Sequence, residues 1–221
     1  MASVLPGYVW LKDFNRFRDM ETGRFVSRQT INDITRSQTS EAEARYHELH
    51  TALHEGRISA ASFVERMREE SRRNMLQNIA LAKGGFDRLD FSDFGRAGQA
   101  LRNQYAQFAG TAQDVADGKV SLPQLLQRAN GYAGEARRQY YIADRDQRQP
   151  SDADHVIIGR RTLGDAQHCA ECLQYYQQGW VLASEVVLPG ILCSCDTHCK
   201  CDVLYREVPR SELQQWLGTK R

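Results

Sequence analysis

The sequence has no cysteine in its first 168 residues, and all six cysteines lie between Cys169 and Cys201. It also lacks any run near the ~18 apolar residues that a membrane-spanning helix needs. Residues 1–7 have neither the charged region nor the long apolar region of a secretory signal peptide. We therefore expect a protein made in a reducing cytoplasm, with no membrane partner. In that compartment clustered cysteines more often bind metal than form disulfides.

An excess of charge of either sign is also missing, because 29 Lys and Arg residues face 28 Asp and Glu residues. A near-neutral chain is not typical of a nucleic-acid binder that relies on a strong basic field. The sequence contains no glycine-rich phosphate loop, no serine nucleophile elbow and no convergent pair of carboxylates. Paired arginines such as Arg160 and Arg161 are interpreted as solvated surface. We predict that the protein is not an enzyme.

Three kinds of enzyme site were weighed against this prediction. His168 adjoins Cys169, but sequence neighbours seldom form a productive Cys–His pair. A thioredoxin-like site needs its Cys-x-x-Cys at a helix start after a strand, within a βαβ unit, and no such setting is indicated. His155 resembles the catalytic residue of a His-Asn-His nuclease, but it precedes the first cysteine pair. A polar linker histidine that enters a strand is the favoured interpretation of His155.

The chain divides by pattern into three segments, of which residues 1–36 are the first. This segment is predicted to be an extended arm with a hairpin between Arg16 and Ser27, where Gly23 permits the turn. A lone hairpin is marginally stable in water, so the arm should dock on something. A terminal hairpin on its own domain and a contact arm for another subunit fit equally well.

Residues 37–148 form a second, helical segment. We predict four helices, with the first over about 38–55 and the third over about 92–117. Ser59 is the expected N-cap of the second helix, and Ser121 with Gln124 is the expected capping box of the fourth. The breaks before the second and fourth helices, at 56–59 and 118–121, have the same pattern: a glycine, a basic residue, a β-branched residue and a serine. This pattern indicates helical hairpins or a bundle. Recurrent turn chemistry explains this similarity better than an internal duplication does.

Residues 149–221 are the third segment, which follows a polar stretch that contains Pro150. Short strands are predicted at 156–158, 181–182 and 186–188, around the cysteines. Residues 211–217 should form one or two amphipathic helical turns. The predicted fold class is therefore mainly α, with an extended N-terminal arm and a small C-terminal β-rich, zinc-ribbon-like domain.

The cysteines carry the main chemical prediction. Cys169 and Cys172 form a Cys-x-x-Cys pair, whose spacing lets two thiolates bind one tetrahedral metal ion. We predict a structural zinc site whose ligands come from Cys169, Cys172, Cys195, Cys199 and Cys201. Three further candidates are Cys193, His168 and His198. Eight groups exceed the four that one ion needs, so the ligand set stays open, as do free thiols and disulfides formed after assembly.

Two segments together resemble a known family. Residues 18–27, Arg-Asp-Met-Glu-Thr-Gly-Arg-Phe-Val-Ser, resemble the opening of many tailed-phage head-morphogenesis proteins. Residues 163–201 resemble their Cys-rich ending, and the family is that of the minor head proteins similar to the F protein of phage Mu. The family often has a histidine shortly before its final Cys-x-Cys, and Cys195 takes that place here. The matched positions are Cys169, Cys172, Gly179, Pro189, Cys199 and Cys201.

The resemblance implies a non-enzymatic structural component of a virion. Such a protein joins the phage head during assembly in the host cytoplasm, in multiple copies, and contacts the portal protein, the major capsid protein or both. In some cases these proteins also contact packaged DNA. The alternative prediction is a zinc-ribbon module that binds nucleic acid, with DNA binding that weakens as salt rises.

Overall fold

A computed structural model describes residues 4–219. Within this range the protein is mainly helical, with six α-helices and a small C-terminal region that contains strands and all six cysteines. The chain forms two compact units, Met1–Tyr140 and Tyr141–Arg221, which are described separately. The three predicted segments, 1–36, 37–148 and 149–221, stay a prediction. Of the helices in residues 4–219, none has both the length and the apolar character needed to cross a bilayer.

The helical unit opens with a hairpin, but its strands are not those the sequence pattern indicated. Strand β1 (Tyr8–Leu11) pairs antiparallel with β2 (Arg16–Asp19). The expected second strand after Gly23 is reduced to a single bridge between Arg18 and Phe25. The segment Tyr8–Leu11 is apolar and aromatic, and it supplies the pairing edge that the prediction assigned to the stretch after Gly23.

A tight turn follows β2. The side-chain oxygen Oδ1 of Asp19 accepts hydrogen bonds from the backbone N–H of Thr22 at 2.7 Å and of Glu21 at 2.9 Å. Gly23 has a φ of +69°, a conformation that residues with a Cβ rarely adopt. Asp19 and Gly23 therefore shape this turn.

Four long helices make up the rest of this unit: α1 (Arg28–His54), α2 (Ala60–Lys83), α3 (Phe91–Ala116) and most of α4 (Leu122–Asp146). Helix α1 begins ten residues before the predicted start near residue 38. Its N-cap is Ser27, whose Oγ accepts from the backbone N–H of Thr30. The first turns of α1 carry few apolar residues and bury polar ones such as Asn32 and Thr35, so hydrophobic periodicity did not reveal them.

The predicted N-cap of α2 is confirmed, and the predicted capping box of α4 is present by half. The Ser59 side chain accepts from the backbone N–H of Ser62, which satisfies one of the free donors at the start of α2. At the start of α4, the backbone N–H of Ser121 donates to Oε1 of Gln124 at 2.9 Å.

The helical unit has an aromatic and aliphatic core. Phe108 packs edge-on against Tyr132 with ring centroids 4.9 Å apart, and the ring of His50 lies edge-on to Phe63 at 5.0 Å. Leu53, Met75 and Leu125 are also buried. The fully enclosed members of this core include Tyr46, Phe63, Met67, Phe108, Ala129 and Ala133.

The C-terminal unit is built on a three-stranded antiparallel sheet. Its central strand β3 (His155–Thr162) lies between β4 (Val181–Leu182) and β5 (Asp202–Pro209). Helix α5 (Ala170–Gln177) follows β3, and the short helix α6 (Leu213–Trp216) follows β5. Its apolar core is small and centres on Ile158, Trp180 and Val208.

Two predictions for this unit were wrong. Strand β5 was not predicted, although it provides the longest pairing partner of β3. Residues 186–188, predicted as a strand, form a loop in which Val186 and Leu188 are buried. The carbonyl of Val187 accepts a hydrogen bond from Nη1 of Arg161 instead of a strand partner.

Candidate metal centre

The first cysteine pair lies at the start of a helix, where the sequence pattern did not place it. Cys169 is the N-cap residue of α5, and Cys172 lies in its first turn, fully buried. This helix start follows strand β3, so half of the setting required for a thioredoxin-like site is present. However, β3 pairs antiparallel with both of its neighbours, so β3, β4 and β5 do not form the parallel βαβ unit of that fold.

The second cysteine run wraps around a short 3₁₀ turn at Asp196–His198. Cys195 precedes this turn, Cys199 follows it, and Cys201 comes directly before β5. His198, one of the further ligand candidates, lies on this turn and is exposed.

Polar contacts hold the two runs together. The Ser194 hydroxyl donates to the Glu171 carboxylate at 2.9 Å, and the Tyr175 hydroxyl donates to the carbonyl of Leu192 at 2.7 Å. Glu171 and Tyr175 belong to α5, whereas Ser194 lies between Cys193 and Cys195 and Leu192 directly precedes Cys193. Helix α5 therefore fixes the position of both sets of sulfurs.

The sulfur atoms form two overlapping groups. The first group contains the sulfurs of four cysteines and the second group those of three. Within each group all sulfurs lie within 4.8 Å of one another. Cys172 belongs to both, with its Sγ 3.6 Å from that of Cys199 and 3.9 Å from that of Cys195. These distances match the edge of a tetrahedral ZnS₄ site, about 3.8 Å, rather than a disulfide bond of about 2 Å. The groups are Cys169, Cys172, Cys193 and Cys195, then Cys172, Cys199 and Cys201.

All five predicted ligands therefore occur in these groups, which supports metal binding by the C-terminal cysteines. Cys193 was only a further candidate in the prediction, outside the five preferred ligands, and the structure brings it into the four-sulfur group. Its Cys-x-Cys spacing with Cys195 repeats that of Cys199 and Cys201, and this spacing was the available signal in the sequence.

Arg161 is the residue that sequence reasoning misplaced most clearly. It was interpreted as solvated surface, yet it is only 1% exposed. Its Nη2 group donates to the sulfurs of Cys172 and Cys199, at 3.3 Å each. The alternation of β3 turns Arg161 inward, whereas Arg160 next to it lies over the ring of Trp180.

The cysteine thiols of the cluster differ in pKa. A hydrogen bond from the Cys201 thiol and the positive charge of Arg161 lower the pKa of Cys199 to about 4. The hydrogen bond with Cys199, together with burial, raises the pKa of Cys201 well above its ordinary value. Burial opposes ionisation of Cys169, but hydrogen bonds from the Cys195 side chain and the Cys172 backbone lower its pKa to about 7. Thiolates are the form that binds metal.

The chain after Cys201 is held by a buried tyrosine. The Tyr141 hydroxyl contacts the carbonyl of Cys201 at 3.2 Å and the carboxylate of Asp202. His155, by contrast, lies at the opposite end of β3 from Arg161, where its ring contacts Asp152 at 2.7 Å. The histidine considered for nuclease chemistry is therefore not next to the sulfur cluster.

Comparisons with protein-family models, with curated proteins and with solved structures found no match to this chain. The residues of the chain itself establish that the cysteine clusters of the C-terminal unit could hold a metal ion.

Proposed function

We propose that this chain is a structural component of a tailed-phage virion, a minor head or head-morphogenesis protein that contacts the portal protein, the major capsid protein or both. The observation that carries the proposal is the resemblance to phage head proteins at two distant segments, 18–27 and 163–201. One of these segments forms the turn after β2, and the other contains the sulfur cluster.

The surface of the helical unit supports a role in assembly. Phe91 is 96% exposed and Phe94 is 50% exposed, both in the first turns of α3. Phe94, Leu76 and Leu101 line a shallow apolar groove that also includes Arg72 and Arg102. Exposed aromatic side chains next to an apolar groove are typical of protein-binding surfaces. A protein partner with apolar and acidic side chains would complement this surface, which we call the aromatic surface.

In this proposal the C-terminal unit binds zinc as a structural ion. Thiolate-rich tetrahedral sites select zinc among the common divalent ions, although iron–sulfur centres also use such ligands. The apolar core of this unit is small, so metal binding would supply much of its folding free energy. Elemental analysis of chelator-free protein purified under reducing conditions tests this part, with zinc expected and iron as the contradicting result.

The virion role is tested by quantitative mass spectrometry of density-purified phage particles whose genome encodes this chain. We expect the chain at a fixed ratio to the major capsid protein. Its absence from mature particles and from their assembly precursors would overturn the proposal.

A variant pair links this test to the aromatic surface. Replacing both Phe91 and Phe94 with Asp should reduce incorporation into particles at least tenfold, since it places charge in an apolar contact. The control is Gln99→Asp, which adds charge to an exposed position of the same helix and should incorporate normally. Equal incorporation of both variants would exclude the aromatic surface as the contact site.

The alternative function is a zinc-ribbon module that binds nucleic acid. Arg160 and Arg206 both lie over the ring of Trp180, at 5.2 and 5.7 Å, which groups basic and aromatic side chains on the sheet. This function predicts that the full chain binds duplex DNA with an affinity that falls steeply with salt. The virion function predicts incorporation into particles whether or not DNA binds.

A further inference from the structure

The sulfur cluster contains more ligands than one ion can use. A structural zinc ion takes four ligands, and the four-sulfur group of Cys169, Cys172, Cys193 and Cys195 already provides them. Cys199 and Cys201 then remain, both buried and both close to Cys172. Two buried sulfurs next to a complete site need an explanation of their own.

His168 is the candidate fourth ligand of a second site. It contacts Cys201 but lies outside the group of sulfurs that are all within 4.8 Å of one another, so metal binding would have to draw its ring towards Cys172 and Cys199. Its Nε2 lies 2.8 Å from the carbonyl of Gly164, which can only accept, so Nε2 carries the proton. The lone pair is therefore on Nδ1, which lies 3.5 Å from Sγ of Cys201. A sulfur and a nitrogen bound to one tetrahedral zinc ion are about 3.6 Å apart. Metal-binding histidines almost always donate their other N–H in this way, which fixes the tautomer.

The charges of the cluster also suit two ions. Six thiolates and two divalent ions have a net charge of −2, which Arg161 reduces to −1. A single ion would compensate only two thiolate charges, and the sulfurs that it does not bind would stay protonated as thiols. Arg161 contacts Cys172 and Cys199, and Cys172 is the sulfur that both groups share.

We propose that the C-terminal unit binds two zinc ions that share the thiolate of Cys172. The first ion is bound by Cys169, Cys172, Cys193 and Cys195. The second is bound by Cys172, Cys199, Cys201 and Nδ1 of His168. This inference rests on the metal-binding part of the proposed function and does not depend on the virion role.

The experiment is a metal count on the full-length chain, purified under reducing conditions without chelator, by native mass spectrometry and elemental analysis. We expect two zinc ions per chain. One ion per chain would overturn this inference and leave the structural zinc of the proposed function intact. No bound metal would overturn both.

Single variants assign the ligands. His168→Ala should reduce the count from two ions to one, and His168→Cys should restore two because sulfur replaces the imidazole. Cys193→Ser should also lower the count to one, through the first site. The matched control is His198→Ala, an exposed histidine directly before Cys199, which should retain two. A count of two in folded His168→Ala, checked by circular dichroism, would overturn the assignment of His168.

Discussion

The two units of this protein solve the problem of folding in different ways. The helical unit buries aromatic and aliphatic side chains from long helices, among them Phe63, Met67 and Phe108. The C-terminal unit buries three large apolar residues in its main cluster and packs its cysteines into a second one. Burial of apolar surface can hold the first unit together, whereas the second has too little of it for its length.

This difference indicates where each unit is sensitive. A core of interlocking side chains responds to a change of volume, because cavities are costly in a close-packed interior. A cluster of sulfurs responds to loss of its ion, because closely packed thiolates without a cation repel one another. The helical unit should therefore respond most to changes in its core, and the C-terminal unit to loss of a bound metal ion.

Metal removal should unfold the C-terminal unit and leave the helical unit folded. Structural zinc in small domains contributes roughly 10 kcal/mol or more to folding. Hydrogen exchange measured by mass spectrometry should show loss of protection in β3 and β5 after chelation, with α1 and α2 unchanged. Restored protection after zinc is added back is the control. If β3 keeps its protection from hydrogen exchange in protein verified to be metal-free, the C-terminal unit does not depend on metal for its folding.

A cavity in the helical core should destabilise the helical unit and leave the C-terminal unit unaffected. Phe108 is fully buried, and its replacement by alanine should lower the free energy of unfolding of the helical unit by about 3–5 kcal/mol. The metal count should not change. Phe91→Ala, on the same helix but 96% exposed, should change stability by less than about 0.5 kcal/mol. Denaturant unfolding followed by helical circular dichroism measures both variants.

Acid should destabilise the helical unit through His50. Burial, with smaller contributions from nearby His47 and Arg128, lowers the pKa of this fully buried histidine from its ordinary value of 6.5 to about 4. Its Nδ1–H donates to the carbonyl of Tyr46, and Nε2 has no hydrogen-bond partner among residues 4–219. Between pH 6.5 and 4 the unfolded state binds a proton that the folded state does not. Stability should therefore fall by about 3 kcal/mol as pH falls through this window.

The measurement is the free energy of unfolding at several pH values for wild type and His50→Phe. The variant should lose the part of the pH dependence that His50 causes. His54→Phe, which replaces an exposed histidine at the end of the same helix, should keep the wild-type profile. If the wild-type and His50→Phe profiles are parallel, His50 is not the cause.

The smallest expected effect concerns the start of α2. Ser59→Ala removes the side-chain acceptor for the backbone N–H of Ser62 and should cost about 1 kcal/mol. Ser62→Ala keeps that backbone donor and its cap and should stay within about 0.5 kcal/mol of wild type. Thermal unfolding of the two variants shows whether the loss of stability comes from removal of the cap or from removal of any serine side chain in this region.

The sequence indicated the helical unit well because its apolar residues repeat with the period of a helix. Phe63, Met67, Met75 and Ile79 recur at the spacing of one helix face, and all four are buried. The early start of α1 was missed because its inward residues there are polar. Such residues form hydrogen bonds within their own helix, as when the Thr35 hydroxyl donates to the carbonyl of Ile31.

The C-terminal unit was harder to predict because its contacts join distant parts of the chain. Cysteine spacing indicated a metal site and most of its residues, but no local pattern pairs His155 with Pro209 or brings Arg161 to the sulfurs. A charged residue in a short strand resembles surface until the partner strands are known. The tautomer of His168 likewise depends on a hydrogen bond that sequence does not reveal.

The pairing of β3 with β5 has a consequence during synthesis. His155 lies opposite Pro209, so the sheet cannot close until more than fifty residues after His155 have left the ribosome. The hairpin of β1 and β2 and the pair of α1 and α2 need only nearby segments and can form earlier. Until the sheet closes, the nascent C-terminal unit exposes its cysteines to oxidants and to competing ions. If the unit binds zinc as proposed, the zinc supply at that moment would affect how much of the newly made protein matures.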